Sequence, residues 1–206
     1  MGQSMRGTIL AGGAASRFGG KPKGLEKVGG ERILDRVVKN LQAAAGQPPL
    51  LIANAKAAKN WRTDLKVVPD MRPNLGTLGG IYTALTSGEG PVILVAWDMP
   101  FVSVSLLQAL IKESEGFDAF LPEGDRRHGL EPLCAVYRPS CVPAIENCLD
   151  REDLRAIAFH PAVKVGRLPP EEVAKHGNPD ELFFNVNTPD DLTLAEELWR
   201  RLASSR

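Results

Sequence analysis

The chain lacks the features that mark several protein classes. Its 206 residues hold only three cysteines, Cys134, Cys141 and Cys148, spaced seven apart. No CxxC or Cys/His pairing accompanies them, so they read as reduced core residues rather than a disulfide frame or a thiolate metal site. There is no excess charge of either sign, with 25 Lys plus Arg against 25 Asp plus Glu. That balance advertises neither a nucleic-acid surface nor an acidic lipid partner. No apolar run approaches the ~20 residues that cross a bilayer. The opening MGQSMRG is polar and brief, without the apolar stretch of a signal peptide. Arg6 stands where a myristoylation signal starting at Gly2 needs Ser or Thr. The expected setting is cytoplasmic, with no nucleic-acid or membrane partner.

What is present suits a globular enzyme-sized domain. The composition is 43% hydrophobic and 24% charged, and the length suffices to bury a core. Residues 8–11 are an apolar run that reads as a buried strand stopped by Gly12-Gly13. In GERILDRVVKNLQAAAG, Ile33, Leu34, Val37, Val38 and Leu41 fall at helical spacing, with Gly46 placed as a C-cap. Strands are expected at 50–53, 67–68, 119–121, 133–137 and 163–165. A flexible loop, NLGTLGG, is expected before a short helix at 81–86, with further helices at 103–111, 142–149 and 154–159. PVILVAWDMP holds the clearest strand, 92–96. Its apolar residues do not alternate with polar ones, so both faces are covered, as in the middle of a parallel sheet. Near the end, Thr188-Pro189-Asp190-Asp191 combines an N-cap threonine, a first-position proline and an acid three after the cap. The helix it opens carries Leu192, Leu194, Ala195, Leu198 and Leu202. The sum predicts a three-layer α/β/α sandwich with a mostly parallel, Rossmann-like central sheet. No linker divides it, so one domain is expected over residues 1–206, with 1–6 as a flexible N-terminal extension.

Three features then fall at expected carboxyl ends of strands, where ligands bind in such sheets. The first is TILAGGAASRFGGKPKG, with five glycines and three cations in seventeen residues. It is neither GxxxxGK[ST] nor GxGxxG. It reads either as a tight turn with a solvated basic face or as an anion cradle. Glycine lets backbone N–H groups approach an anion, Arg17 can fork onto phosphate oxygens, and Lys21 and Lys23 are point charges stiffened by Pro22. The second is Asp98, directly after the apolar strand. A carboxylate there must be solvated, paired or bound to a cation, and magnesium is held by few protein carboxylates together with substrate phosphates. The third is Asp70, which either caps a turn before Pro73 or faces a nucleotide. No general base stands out. Nucleotidyl transfer onto an existing phosphate needs none, only charge neutralisation and in-line approach.

LAGG, RFGG and KG at 10–13 and 17–24, followed in order by PDMRPNLGTLGG, WDMPF, GLEPLCAVY and FFNVNTPDDL, resemble the molybdenum cofactor guanylyltransferases. These belong to the nucleotidyltransferase superfamily with the sugar-nucleotide-transferase-like fold. The resemblance spans residues 8 to about 198, and LAGG is similar to the guanylyl-transferring form where cytidylyl-transferring relatives read LAAG. It implies a Mg2+-dependent transfer of GMP from GTP to a molybdopterin-type cofactor, with release of pyrophosphate. It implies that the backbone of Leu10, Ala11, Gly12 and Gly13 holds the nucleotide. Lys23 and Arg17 would then meet phosphates, Asn54 and Asp70 the nucleotide, and Asp98 both nucleotide and magnesium. Asn185 and Asn187 would bind the pterin acceptor. It further implies transient contact with cofactor-supplying proteins and molybdoenzyme chaperones. Thr77 departs from the family's usual proline and Trp97 from its usual cysteine. Glu131 either approaches the acceptor or begins a strand. A transferase using CTP or a sugar- or alcohol-phosphate acceptor remains an alternative, as does a non-catalytic guanine-nucleotide-binding partner.

Overall fold

The computed structural model describes residues 4–12, 22–124 and 129–204. Gly13, Arg17 and Lys21, expected to help form the anion cradle, lie outside the described residues. The chain opens with β1 (Arg6–Leu10), a small hairpin of β2 (Lys27–Val28) and β3 (Glu31–Arg32), and α1 (Ile33–Ala45). β4 (Leu50–Ile52), β5 (Val67–Val68), α2 (Gly76–Thr86), β6 (Val92–Ala96) and α3 (Val104–Glu113) follow. Then come β7 (Ala119–Pro122), β8 (Cys134–Tyr137), α4 (Val142–Asp150), β9 (Val165–Leu168), two four-residue helices, α5 (Pro170–Val173) and α6 (Pro179–Leu182), and α7 (Pro189–Ser204).

Seven strands form one sheet in the order β5-β4-β1-β6-β8-β7-β9. β8 is antiparallel to both its neighbours, while the other pairings are parallel. The chain moves outward from β1 to β4 and β5, then crosses back to place β6 on the other side of β1. That reversal makes the carboxyl ends of β1 and β6 the switch point where a crevice opens.

Side-chain alternation divides the core into two layers. Ile9, Ile93 and Val95 pack with Val37 and Leu41 of α1 and Leu106 and Leu110 of α3. Leu10, Val92 and Leu94 pack with Ile81 and Leu85 of α2 and Ile145 and Leu149 of α4. Each aliphatic side chain so buried contributes about 2 kcal/mol against exposure. Local signals set the helix ends. Gly46 takes a left-handed φ of 76° and its N–H reaches the Gln42 carbonyl at 2.9 Å. The Thr188 hydroxyl accepts from the Asp191 N–H at 3.1 Å while the Asp191 carboxylate accepts from the Thr188 N–H at 2.9 Å, a reciprocal capping box.

Four expectations are corrected. NLGTLGG is not all loop, because α2 already begins at Gly76. A Cβ on Gly80 would sit 3.2 Å from the Leu10 methyls, so the glycine lets the helix start lie against the end of β1. Residues 154–159 form turns rather than a helix, with Ala158 N–H bonded to Arg155 and His160 N–H to Ile157. These bonds span three residues rather than four, so no α-helical ladder forms before the 3-10 turn at His160–Ala162. The strand expected at 163–165 lies further on, at Val165–Leu168. Arg6, placed by the sequence in the extension, opens β1, its guanidinium donating to the carbonyls of Ala84, Gly88 and Gly90.

Cys134 and Cys141 belong to opposite layers of the core, and burial pushes the Cys141 thiol up to about 12 and that of Cys134 higher still. Among the described residues, no helix is long and apolar enough to cross a membrane.

Candidate active site

Three chain segments leave the sheet side by side at its carboxyl edge. The Trp97 N–H donates to the Leu10 carbonyl at 3.1 Å, the Ala11 N–H to Ile52 at 2.8 Å, and the Ala53 N–H to Val68 at 3.0 Å. These bonds hold Ala11-Gly12, Ala53-Asn54 and Trp97-Asp98 as one rim. Behind the rim lies a cavity of about 930 Å³. Leu10, Ala11, Gly12, Lys23, Asn54, Asp70, Asp98, Asn185 and Asn187 all line it. A Cβ built on Gly12 would meet nothing within 4 Å, so this glycine leaves backbone open to the cavity rather than relieving a clash.

At one end, Lys23 forms an ion pair with Asp98 through Oδ2, and the same ammonium donates to Asn187 Oδ1 at 2.7 Å. Lys23 follows the glycine loop, Asp98 follows β6, and Asn187 precedes α7. The chain fixes this meeting twice more. The Val186 N–H donates to the Asp98 carbonyl at 2.9 Å, and the Asn187 N–H to the Asp191 carboxylate at 2.9 Å. The Asn185 amide donates to the Phe183 carbonyl at 2.8 Å. Asp98 is only 6% exposed, and its Oδ1 is buried with no partner among the described residues. A buried carboxylate oxygen without a donor is costly unless a cation satisfies it. This donor set fits a hard divalent ion held by one carboxylate and substrate phosphates. Among the described residues, no group of three or more His, Cys, Asp or Glu could hold a metal.

At the other end, Asn54 and Asp70 form a reciprocal pair. The Asn54 amide donates to Asp70 Oδ2 at 2.6 Å, and the Asp70 N–H donates to Asn54 Oδ1 at 2.8 Å. Asp70 thus lines the cavity while paired with Asn54, and neither of these two bonds is a cap on the turn before Pro73. The start of α2 stands beside them, with Gly76 and Thr77 on the cavity wall, and its N-cap residue, Leu75, makes no side-chain cap hydrogen bond. Free N–H groups at a helix start favour an anion. Thr77 occupies the helix start without disturbing it.

Sequence reasoning missed Trp61, Ala55, Asn74 and Leu133, which also line the cavity. Trp61 stacks on Trp97 with ring centroids 5.0 Å apart and planes 20° apart. It sits beyond a 3-10 turn with no periodic pattern, so nothing local flagged it. Asn74 carries a left-handed φ of 66°, which a PN dipeptide could have suggested. Glu131 does not line the cavity; its N–H donates to Pro122 and its carbonyl accepts from Cys134, so it leads into β8.

The Rossmann-like sheet, with its cavity at the switch point, has the layout of a nucleotide-binding α/β domain. Residues 7–164 match the MobA-like NTP transferase domain. The chain is 37% identical over 192 residues to a probable molybdenum cofactor guanylyltransferase of Pelotomaculum thermopropionicum, covering 92% of this chain and 90% of that one. It is 33% identical over 190 residues to a probable molybdenum cofactor guanylyltransferase of Carboxydothermus hydrogenoformans, covering 92% and 93%. Among solved structures it is similar to molybdopterin-guanine dinucleotide biosynthesis protein A from Archaeoglobus fulgidus, at a TM-score of 0.80 and 27% identity, covering 96% and 100%. The chain belongs to the MobA-like NTP transferase family of molybdenum cofactor guanylyltransferases, within the nucleotidyltransferase superfamily.

Proposed function

We propose that this protein transfers GMP from GTP to a molybdopterin-type molybdenum cofactor, giving its guanine dinucleotide form and pyrophosphate. It acts as a single nucleotidyltransferase domain over residues 1–206. The observation that carries this reading is the junction of Lys23, Asp98 and Asn187 inside one cavity. It joins residues suited to phosphates and a divalent cation to the NVNTP segment suited to the acceptor.

The terminal phosphate oxygen of the pterin cofactor forms a bond to the α-phosphorus of GTP. The bond from that phosphorus to the bridging oxygen of the β-phosphate breaks, and pyrophosphate leaves with the electron pair. The acceptor is already an anion, so the site needs no general base and must instead bring like charges together in line. Asp98 would hold Mg2+, which when bound supplies charge screening between the two phosphates. Lys23, with Arg17 from the glycine loop, stabilises the charge that builds on the leaving pyrophosphate. The backbone of Leu10, Ala11, Gly12 and Gly13 would hold the nucleotide, together with Asn54 and Asp70. Asn185 and Asn187 orient the pterin, since an amide offers both donor and acceptor to a heterocycle.

The test is pyrophosphate release from GTP by the purified protein with Mg2+ and pterin cofactor, in parallel with Lys23→Ala. Loss of the ammonium is expected to lower turnover about 100-fold. Unchanged turnover in a folded variant removes Lys23 from the reaction.

A further inference from the structure

The two tryptophans beside the Lys23–Asp98 pair are left without a role by the reaction itself. Trp97 is 4% exposed and Trp61 7%, so neither offers a ring face large enough to stack a ligand. Their placement points elsewhere. A Cβ added at Gly24 would lie 2.4 Å from one ring carbon of Trp97 and 2.7 Å from another, so the Gly24 backbone rests directly on the indole. Trp61 stacks on Trp97, and the Trp61 carbonyl accepts from Arg32 at 3.2 Å. The backbone of Trp97 is itself pinned by its bond to Leu10. Gly24 directly follows Lys23, and Trp97 directly precedes Asp98. The ring-on-glycine contact therefore sets the spacing between the two chain segments whose side chains form the ion pair.

We infer that Trp97, backed by Trp61, is a positioning residue that fixes the Lys23–Gly24 turn against the end of β6 and so aims the Lys23 ammonium. This rests on the reading of Lys23 as the phosphate-stabilising cation. A shift of about 1 Å in such a group costs up to about 100-fold in rate, so even partial loss of the platform registers in turnover.

The experiment is a double-mutant cycle on pyrophosphate release, combined with nuclear magnetic resonance of the Lys23 side-chain amine. Trp97→Leu should lower kcat about tenfold in the wild-type background but less than about twofold in Lys23→Ala, because its effect passes through Lys23. Trp97→Phe, which keeps a flat ring on Gly24, should stay within about twofold of wild type. Should Trp97→Leu fail to fold, Gly24→Ala attacks the same contact from the other side and should show the same coupling. A tenfold loss that persists in Lys23→Ala, or a Phe variant as slow as the Leu variant, overturns the inference. The resonance arm is independent of the reaction. The Lys23 amine signal should move toward those of exposed lysines in Trp97→Leu and stay in place in Trp97→Phe. If wild type turns over no nucleotide but that signal moves, the functional reading fails and the positioning role stands. If the signal does not move, the positioning role fails whatever the activity.

Discussion

At one end of the cavity a nearly buried ammonium and carboxylate, Lys23 and Asp98, join segments 75 residues apart. At the other, the exposed Asn54 and the half-buried Asp70 join segments 16 residues apart through two hydrogen bonds. The first pair is charged and shielded, so removing Lys23 leaves a nearly buried carboxylate uncompensated, while removing Asp98 leaves the ammonium only its bond to Asn187. The second is wet, so water can replace a lost partner at small cost. The Lys23–Asp98 end is set for charge before any ligand arrives, while the Asn54–Asp70 end can exchange its mutual bonds for bonds to a ligand.

Asp98→Ala should break this contrast most strongly. It leaves the Lys23 ammonium without its carboxylate and removes the proposed cation ligand, so turnover should fall by about 1,000-fold. Steady-state pyrophosphate release measures it, and Asp98→Asn, which keeps the shape, should fall nearly as far. Lys23→Ala comes next, with its loss of about 100-fold. Asn187→Ala should raise the KM for the pterin acceptor about tenfold while moving the GTP KM far less, the loss expected from one hydrogen bond to a charged or heterocyclic partner. An equal rise in both constants would place Asn187 on the nucleotide side instead. At the wet end, Asn54→Ala should raise the GTP KM only about threefold and leave the melting temperature unchanged. A tenfold or larger effect would show that the Asn54–Asp70 end is no more replaceable than the buried pair.

A pH effect lies outside both ends. His160 is half-buried with Nε2 unpartnered among the described residues, and burial, aided by the Arg167 charge, pulls its pKa down to about 4 from 6.5. The unfolded chain therefore binds the proton more readily between those values. The stability from keeping His160 neutral is complete above pH 6.5 and drains away as pH falls toward 4. Melting curves across that window should show a steeper loss in wild type than in His160→Phe. Identical curves would mean that the imidazole titrates normally.

Much of this was legible in the chain because local rules and burial agreed there. Val92 to Ala96 is fully buried on both faces, as its unbroken apolar run implies. The Thr188 cap and its reciprocal acid formed as their spacing requires. What the sequence could not disclose depended on tertiary contact. Gly79 and Gly80 look like loop residues until Leu75 and Leu10 are seen packed where their side chains would be. The antiparallel course of β8 follows from return connections that no local pattern encodes. In the site, the acid and the lysine were visible as chemistry, but their direct pairing was not. Trp61 carried no signal at all, since its value lies in stacking on a residue 36 positions away.

The deciding measurement is pyrophosphate release from GTP, CTP, ATP and UTP, each with metal-loaded pterin cofactor and with or without Mg2+. Release from GTP should depend on both the pterin and the metal, with the other nucleotides far slower. Release that favours CTP, or GTP binding with no metal-dependent release, would contradict the proposed GMP transfer.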